Sequence, residues 1–187
     1  MTSARRVVFL DRDGVVTIPR DVSGKGYAAR TLSELRFYDD AAASVLRLKA
    51  AGFEVVIVTN QPDVSAGVIT QPVLDNIHDV VAAHLEVDGI RTCIHLAIDA
   101  CQCRKPLPGL LVEESLEKAL SFPSSWMVGD RDSDIEAGKS AGCRTIFINR
   151  GWVGETGDEA DIAATDLADA VDAIVHHMTS TYGGGTL

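Results

Sequence analysis

The chain has 187 residues, 46% hydrophobic and 24% charged, a balance that suits one water-soluble domain with a full core. Asp and Glu number 27 against 17 Lys and Arg, and the formal charge of −10 argues against nucleic acid or an anionic membrane as the main partner. A phosphorylated small molecule remains compatible, because a metal ion and a few local cations suffice to hold one.

Met1 to Arg6 lead straight into Val7-Val8-Phe9-Leu10, a run too short for a secretory signal or for the roughly 20 apolar residues of a membrane span. A cytoplasmic protein is expected. The run reads as a buried strand that stops at the polar turn Asp11-Arg12-Asp13-Gly14. Residues 17–37 carry Pro19, Gly24 and Gly26 and read as a long loop, a feature often functional in a compact domain. Asp39-Asp40 precede a helix with Val45, Leu46 and Leu48 on one face, closed by Gly52. Val55 to Val58 is a second buried strand, ending at Thr59-Asn60-Gln61. Thr70 can cap a helix reaching Leu85, with Leu74, Ile77, Val80, Val81 and Leu85 as its buried stripe and His78 and His84 facing solvent.

Thr92 to Ile98 reads as strand and Leu110 to Leu120 as helix. Trp126-Met127-Val128 is a short strand that ends at Gly129-Asp130, with Trp126 packed. Asp134 to Ala141 is helical and Gly142 closes it, leaving Asp132 as a solvated turn residue and Cys143 as a small buried one. Thr145 to Ile148 is a further strand. Trp152 fits core or rim. Asp166 to Met178 is a terminal amphipathic helix with His176 and His177 exposed near its end. This alternation predicts an α/β fold: a doubly wound parallel sheet with helices on both faces, a single domain over residues 1–180, and a flexible tail at 181–187. A monomer is expected.

In such folds ligands bind beyond the carboxyl ends of the strands. Asp11 and Asp13, Thr59 and Asn60, and Asp130 end three of these strands and meet at one rim if the strands are neighbours. Two carboxylates two residues apart can serve one small centre, one as metal ligand or nucleophile and the other as proton carrier. Sparse hard oxygen ligands suit Mg²⁺, which substrate phosphate completes. The Thr59 hydroxyl and Lys105 ammonium suit phosphate oxygens. Taken singly, Asp-x-Asp is equally turn chemistry, and a Thr after a strand is more often a helix cap.

A second cluster is Cys93-Ile94-His95 and, five residues on, Cys101-Gln102-Cys103. Alternate residues on an extended segment point to one face, so each pair can reach one ion, and four such ligands match a closed, structural Zn²⁺ site. Cys103 adjoins Arg104 and Lys105, so a metal here would fix where those cations point.

The runs Phe9-Leu10-Asp11-Arg12-Asp13-Gly14-Val15, Val58-Thr59-Asn60-Gln61, Cys103-Arg104-Lys105-Pro106 and Val128-Gly129-Asp130-Arg131-Asp132-Ser133-Asp134 occur in this order. Together they resemble the four motifs of the haloacid dehalogenase-type phosphohydrolases, over residues 6 to about 152. Within that superfamily the chain is most similar to the branch of heptose bisphosphate and histidinol phosphate phosphatases, which usually carry a zinc loop.

The resemblance implies a Rossmann-like sheet with little or no cap domain, and phosphomonoester hydrolysis through an aspartyl phosphate. It makes Asp11 the nucleophile and Asp13 the general acid and base. It places Mg²⁺ on the Asp11 carboxylate, the Asp13 main-chain carbonyl and Asp130. Thr59 and Lys105 would stabilise the phosphoryl group, Asn60, Gln61 and Arg104 would face the substrate, and Asp134 would orient the Lys105 ammonium or a water beside the metal rather than bind the metal directly. Arg131 stands where Lys is common in the heptose-type enzymes. Arg20, Lys25, Arg104 and Arg131 are cations available for a second phosphate. The implied reaction removes the 7-phosphate of a heptose 1,7-bisphosphate; histidinol phosphate is the close alternative, a broader range of sugar phosphates the next, and a non-catalytic scaffold of the same fold the contrasting class.

Overall fold

Strand β1 (Val7–Leu10) is fully buried and lies at the centre of the sheet. The computed structural model describes residues 5–118 and 120–182. After β1 come β2 (Arg20–Val22), β3 (Lys25–Tyr27), α1 (Ala41–Ala50), β4 (Glu54–Asn60), α2 (Gln71–Leu85), β5 (Gly89–Cys93) and α3 (Gly109–Lys118). The chain continues through β6 (Trp126–Gly129), α4 (Asp132–Ala141), β7 (Arg144–Ile148), β8 (Ile162–Ala164) and α5 (Leu167–Tyr182). Six strands form a parallel sheet in the order β5-β4-β1-β6-β7-β8.

The two-residue period of a strand sorts each apolar run between two cores. Val8, Leu10, Val55 and Ile57 face a core closed by residues of α1, α2 and α5, including Val45, Leu48, Ile77, Val81, Val171 and Ile174. Val7, Phe9, Val56, Val58 and Met127 face the opposite core with Leu110 and Leu111 of α3. Fully burying one such Leu, Val or Phe contributes about 1.5–3 kcal/mol, so both faces hold the central strands in place. The register pairs Leu10 with Ile57 on one side and Val128 on the other. The polar residues after β1, β4 and β6 therefore emerge side by side at one rim.

Several boundaries differ from the sequence reading. The expected loop at 17–37 contains the antiparallel hairpin of β2 and β3, turned by Ser23 (φ 55°) and Gly24 (φ 76°). Those left-handed dihedrals match a tight hairpin turn. The strand expected at 92–98 is β5, and it ends at Cys93; the residues beyond belong to the cysteine loop. Strand β8 is an addition to the predicted elements, too short at three residues to show a period. Helix α4 starts at Asp132, so this residue is no solvated turn. Its carboxylate accepts the backbone N–H of Thr156 (3.2 Å) and Gly157 (2.7 Å). Thr70 takes the N-cap place of α2, but its side chain makes no capping bond. On α2, Val80 is exposed rather than in the stripe, while His78 is half-buried and its imidazole is held near a pKa of about 4 by burial and by Arg12. Helix α5 runs to Tyr182, past the start of the expected tail, and residues 183–187 lie outside the described residues. Trp126 is packed in the core, and burial pushes the Cys143 thiol up to about 12, which makes it inert. No helix among the described residues is long and apolar enough to cross a membrane.

Candidate active site

The chain leaves β1 at Asp11, whose N–H is still held by the Val128 carbonyl at 2.9 Å. It then folds tightly through Gly14, which has φ +103°. A Cβ there would stand 1.7 Å from Asp130 Oδ2, so glycine lets the two strand ends close together. Asp11, Asp130 and Asp134 are buried, and one carboxylate oxygen of each lies within 4.8 Å of the others.

Lys105 reaches into this group from the loop after β5. Its Nζ lies 2.7 Å from Asp11 Oδ1, 2.6 Å from Asp134 Oδ1 and 2.8 Å from the Val58 carbonyl. An ammonium has three hydrogens, and all three are engaged. Burial disfavours the Lys105 charge, but Asp11 and Asp134 outweigh it and raise its pKa. Burial, opposed by Lys105 and reinforced by Asp134 and Asp13, brings the Asp11 carboxyl up to about 6. Burial, then Asp11 and Asp134, raise Asp130 well above the usual carboxylate range. Asp130 Oδ1 is buried with no hydrogen-bond partner. Crowded hard oxygen donors and an unpartnered buried oxygen fit a divalent cation such as Mg²⁺.

Asp13 sits beside this cluster under separate control. Arg12 places Nε 3.0 Å and Nη2 2.8 Å from Asp13 Oδ2. Gln61 Nε2 donates to the same oxygen at 2.9 Å, and the Thr17 hydroxyl donates to Oδ1 at 3.0 Å. Gln61 also donates to Thr59 Oγ1 at 2.8 Å, which leaves the Thr59 hydroxyl hydrogen free for another acceptor. Gln61 is therefore buried and spends its amide on Asp13 and Thr59, where the sequence reading placed it against substrate. Asn60 lines the cavity, yet its side-chain amide pairs with both backbone groups of Lys105, at 3.0 and 3.1 Å. It fastens the Lys105 loop to the end of β4.

An open cavity of about 490 Å³ leads away from Asp13 and Lys105, lined by Lys25, Tyr27, Arg104 and Arg131 among others. Arg131 Nη2 donates to the Gly26 carbonyl at 2.5 Å, and Arg104 Nη1 donates to the His95 carbonyl at 3.1 Å. Arg20 turns elsewhere, giving Nε to the Ala28 carbonyl at 3.1 Å. Sequence reasoning did not single out Arg12, Thr17 or Arg150 for this site, and left Trp152 open. Arg150 Nε holds the Gly14 carbonyl at 2.7 Å, and Trp152 Nε1 donates to Asp130 Oδ2 at 2.5 Å. An Arg and a Trp just past the end of β7, level with the other strand ends, were the available signal.

The cysteine cluster lies behind Arg104. Cys93 Sγ is 3.7 Å from Cys101 Sγ and 3.5 Å from His95 Nδ1. Cys103 Sγ is 3.5 Å from Cys101 Sγ and 3.3 Å from His95 Nδ1. Tetrahedral Zn–S bonds of about 2.3 Å place sulfurs about 3.8 Å apart, so the four donors match one Zn²⁺. Burial and the adjoining Cys93 and Cys101 push the Cys103 thiol up to about 12, a crowding that a soft cation relieves.

The fold and the four converging segments define a member of the haloacid dehalogenase-like hydrolases. The model of that family matches residues 20–139, and the HAD-hydrolase-like model matches residues 102–177. The chain belongs to this family. It is 30% identical to the D-glycero-beta-D-manno-heptose-1,7-bisphosphate 7-phosphatase of Yersinia pestis, over 93% of this chain and 97% of that protein. The enzyme of the same name from Pseudomonas aeruginosa is also 30% identical, over 92% and 99%. A solved structure of the D,D-heptose 1,7-bisphosphate phosphatase of B. bronchiseptica, complexed with magnesium and phosphate, superposes with a TM-score of 0.79 at 27% identity, covering 92% of this chain and 99% of that one.

Proposed function

We propose that the protein is a Mg²⁺-dependent phosphomonoester hydrolase that removes the 7-phosphate of D-glycero-D-manno-heptose 1,7-bisphosphate. The observation that carries this reading is the cavity beside the paired carboxylates. Its volume of about 490 Å³ suits a sugar, and it is lined by Lys25, Arg104 and Arg131 for a second phosphate away from Asp11, with Arg131 steadied by Glu155 at 3.4 Å. Similarity over nine-tenths of the chain to phosphatases named for that substrate supports it.

Asp11 attacks phosphorus through a carboxylate oxygen, forming the aspartyl phosphate as the bond to the sugar oxygen breaks. Asp13 gives its proton to that departing oxygen. It then takes a proton from the water that attacks the aspartyl phosphate, which restores the Asp11 carboxylate and releases inorganic phosphate. Arg12, Gln61 and Thr17 hold Asp13 in place for both transfers. The Thr59 hydroxyl donates to a phosphoryl oxygen. Lys105 contributes charge and aims Asp11, since its hydrogens are engaged by protein oxygens. Asp11, Asp130 and the Asp13 main-chain carbonyl are the ligands we assign to Mg²⁺, and Asp134 orients Lys105. When bound, the ion neutralises charge on the transferring phosphoryl group.

Cys93, His95, Cys101 and Cys103 hold a structural Zn²⁺ on this reading, with no position left open for substrate. The site is complete within one chain, consistent with a monomer working in the cytoplasm, where thiols stay reduced. The test is phosphate release from a panel of the two anomers of heptose 1,7-bisphosphate, histidinol phosphate and common sugar phosphates. The heptose bisphosphate should show the highest kcat/KM by at least about tenfold. Histidinol phosphate in first place would overturn the substrate while leaving the reaction class intact.

A further inference from the structure

The loop after β7 does more than return the chain to β8. Trp152, half-buried, sends its indole N–H to Asp130 Oδ2 at 2.5 Å. The other oxygen of this carboxylate, Oδ1, is buried and has no partner. Gly14 also closes in on Oδ2, where even a methyl carbon would collide with it. Arg150 Nε fixes that glycine by holding its carbonyl at 2.7 Å. The Asp130 carboxylate is thus gripped on one oxygen and open on the other. The indole itself is braced. A Cβ on Gly26 of β3 would stand 3.0 Å from Trp152 Cζ2, and Val153 N–H donates to the Gly24 carbonyl at 2.9 Å.

We propose that Trp152 is a positioning residue for Asp130: its indole N–H immobilises Oδ2 so that Oδ1 is the oxygen presented to the divalent cation. The inference rests on the reading of Asp130 as a Mg²⁺ ligand. An indole suits the task because it donates one hydrogen bond, accepts none and carries no charge. A Lys or Arg at this place would also fix the carboxylate, but would repel the cation. Hydrogen-bond partners that hold the far atom of a metal ligand typically govern metal affinity by about 10–100-fold. The bracing against Gly26 ties that affinity to the β2–β3 hairpin at the mouth of the cavity.

The test uses the full chain in two measurements. In ¹⁵N-labelled wild-type protein the two indole N–H resonances are those of Trp126 and Trp152. Addition of Mg²⁺ should move the Trp152 resonance and leave that of Trp126, at the other end of β6, in place. Free Mn²⁺, followed by its electron paramagnetic resonance signal, then gives dissociation constants for wild type, Trp152→Phe and Asp130→Asn. Trp152→Phe should bind Mn²⁺ at least about tenfold more weakly, and its activity, lost at low Mg²⁺, should return when Mg²⁺ is raised. Asp130→Asn should lose the site. A Trp152→Phe constant within twofold of wild type, with Asp130→Asn defective, overturns the role of Trp152 alone. Normal binding by Asp130→Asn overturns the metal site and this inference together. Should Trp152→Phe not fold, the wild-type resonance decides: an unmoved Trp152 signal at saturating Mg²⁺ refutes the proposal.

Discussion

The two donor clusters are built on opposite principles. The carboxylate rim gathers Asp11 and Asp130 from two strand ends, Asp134 from the first turn of α4 and Lys105 from a loop, and each is nearly or fully buried. Its positions are set by the sheet register, by Gly14 and by protein hydrogen bonds. The cysteine cluster draws its four donors from a single short segment, where Ile98 is 87% exposed and only Cys93 is buried. The rim's geometry is fixed by contacts within the protein. The loop has little core of its own, and on the proposed reading a zinc ion would supply what packing does not. On that reading one protein would hold a site where a cation can exchange and a site where the cation is part of the fold.

The sharpest way to break this contrast is at Asp11, the proposed nucleophile. Asp11→Asn should lower kcat by at least about 10³-fold, ~4 kcal/mol, with little change in the urea midpoint, because the rim is held by many other contacts. Retention of more than about a hundredth of wild-type kcat would sink the assignment. Lys105→Met leaves Asp11 and Asp134 buried against each other, and should cost about 3–5 kcal/mol of stability, read from urea unfolding. A loss under about 1 kcal/mol would mean the rim does not depend on its one ammonium. Asp13→Asn should slow turnover of alkyl phosphates by about 10²-fold, within the range for a proton carrier. Aryl phosphates, whose leaving groups need no acid, should suffer less; equal losses would count against Asp13.

The smallest effect should come from the loop. Metal analysis of protein purified without chelator should find about one zinc per chain. Cys101→Ser should loosen the segment ending in Arg104 and Lys105, raising KM and lowering kcat together by about tenfold between them. The circular dichroism of the sheet should be unchanged. Absence of zinc, with the cysteines rapidly modified in the native state, would refute the loop and leave the rim standing.

What could be read from the chain follows the same division. The strand ends were legible because an apolar run that stops at Asp11, Thr59 or Asp130 marks both a buried strand and its functional end. The cysteine cluster was legible because its donors are close in sequence. The hairpin was not, since Arg20–Val22 and Lys25–Tyr27 are polar and three residues long; the Ser23-Gly24 turn was its sole cue. Gln61 and Asn60 were placed at the right rim, but their amides face the protein. That choice is made by distant partners, Asp13 and Lys105, which no local pattern encodes. His78 was misplaced because a helical stripe records spacing, whereas the buried Arg12 beside it is a tertiary neighbour.

The hairpin's attachment bears on how fast substrate and product can pass. Gly24 is tied to Val153 and Gly26 to Arg131, and Gly26 lies close against the Trp152 indole. The hairpin is thus held at its turn by the loop after β7 and at its second strand by the start of α4. On the proposed reading, substrate and product would pass a mouth edged by an anchored hairpin, and the turnover number would be expected to answer to the chemical steps rather than to a lid.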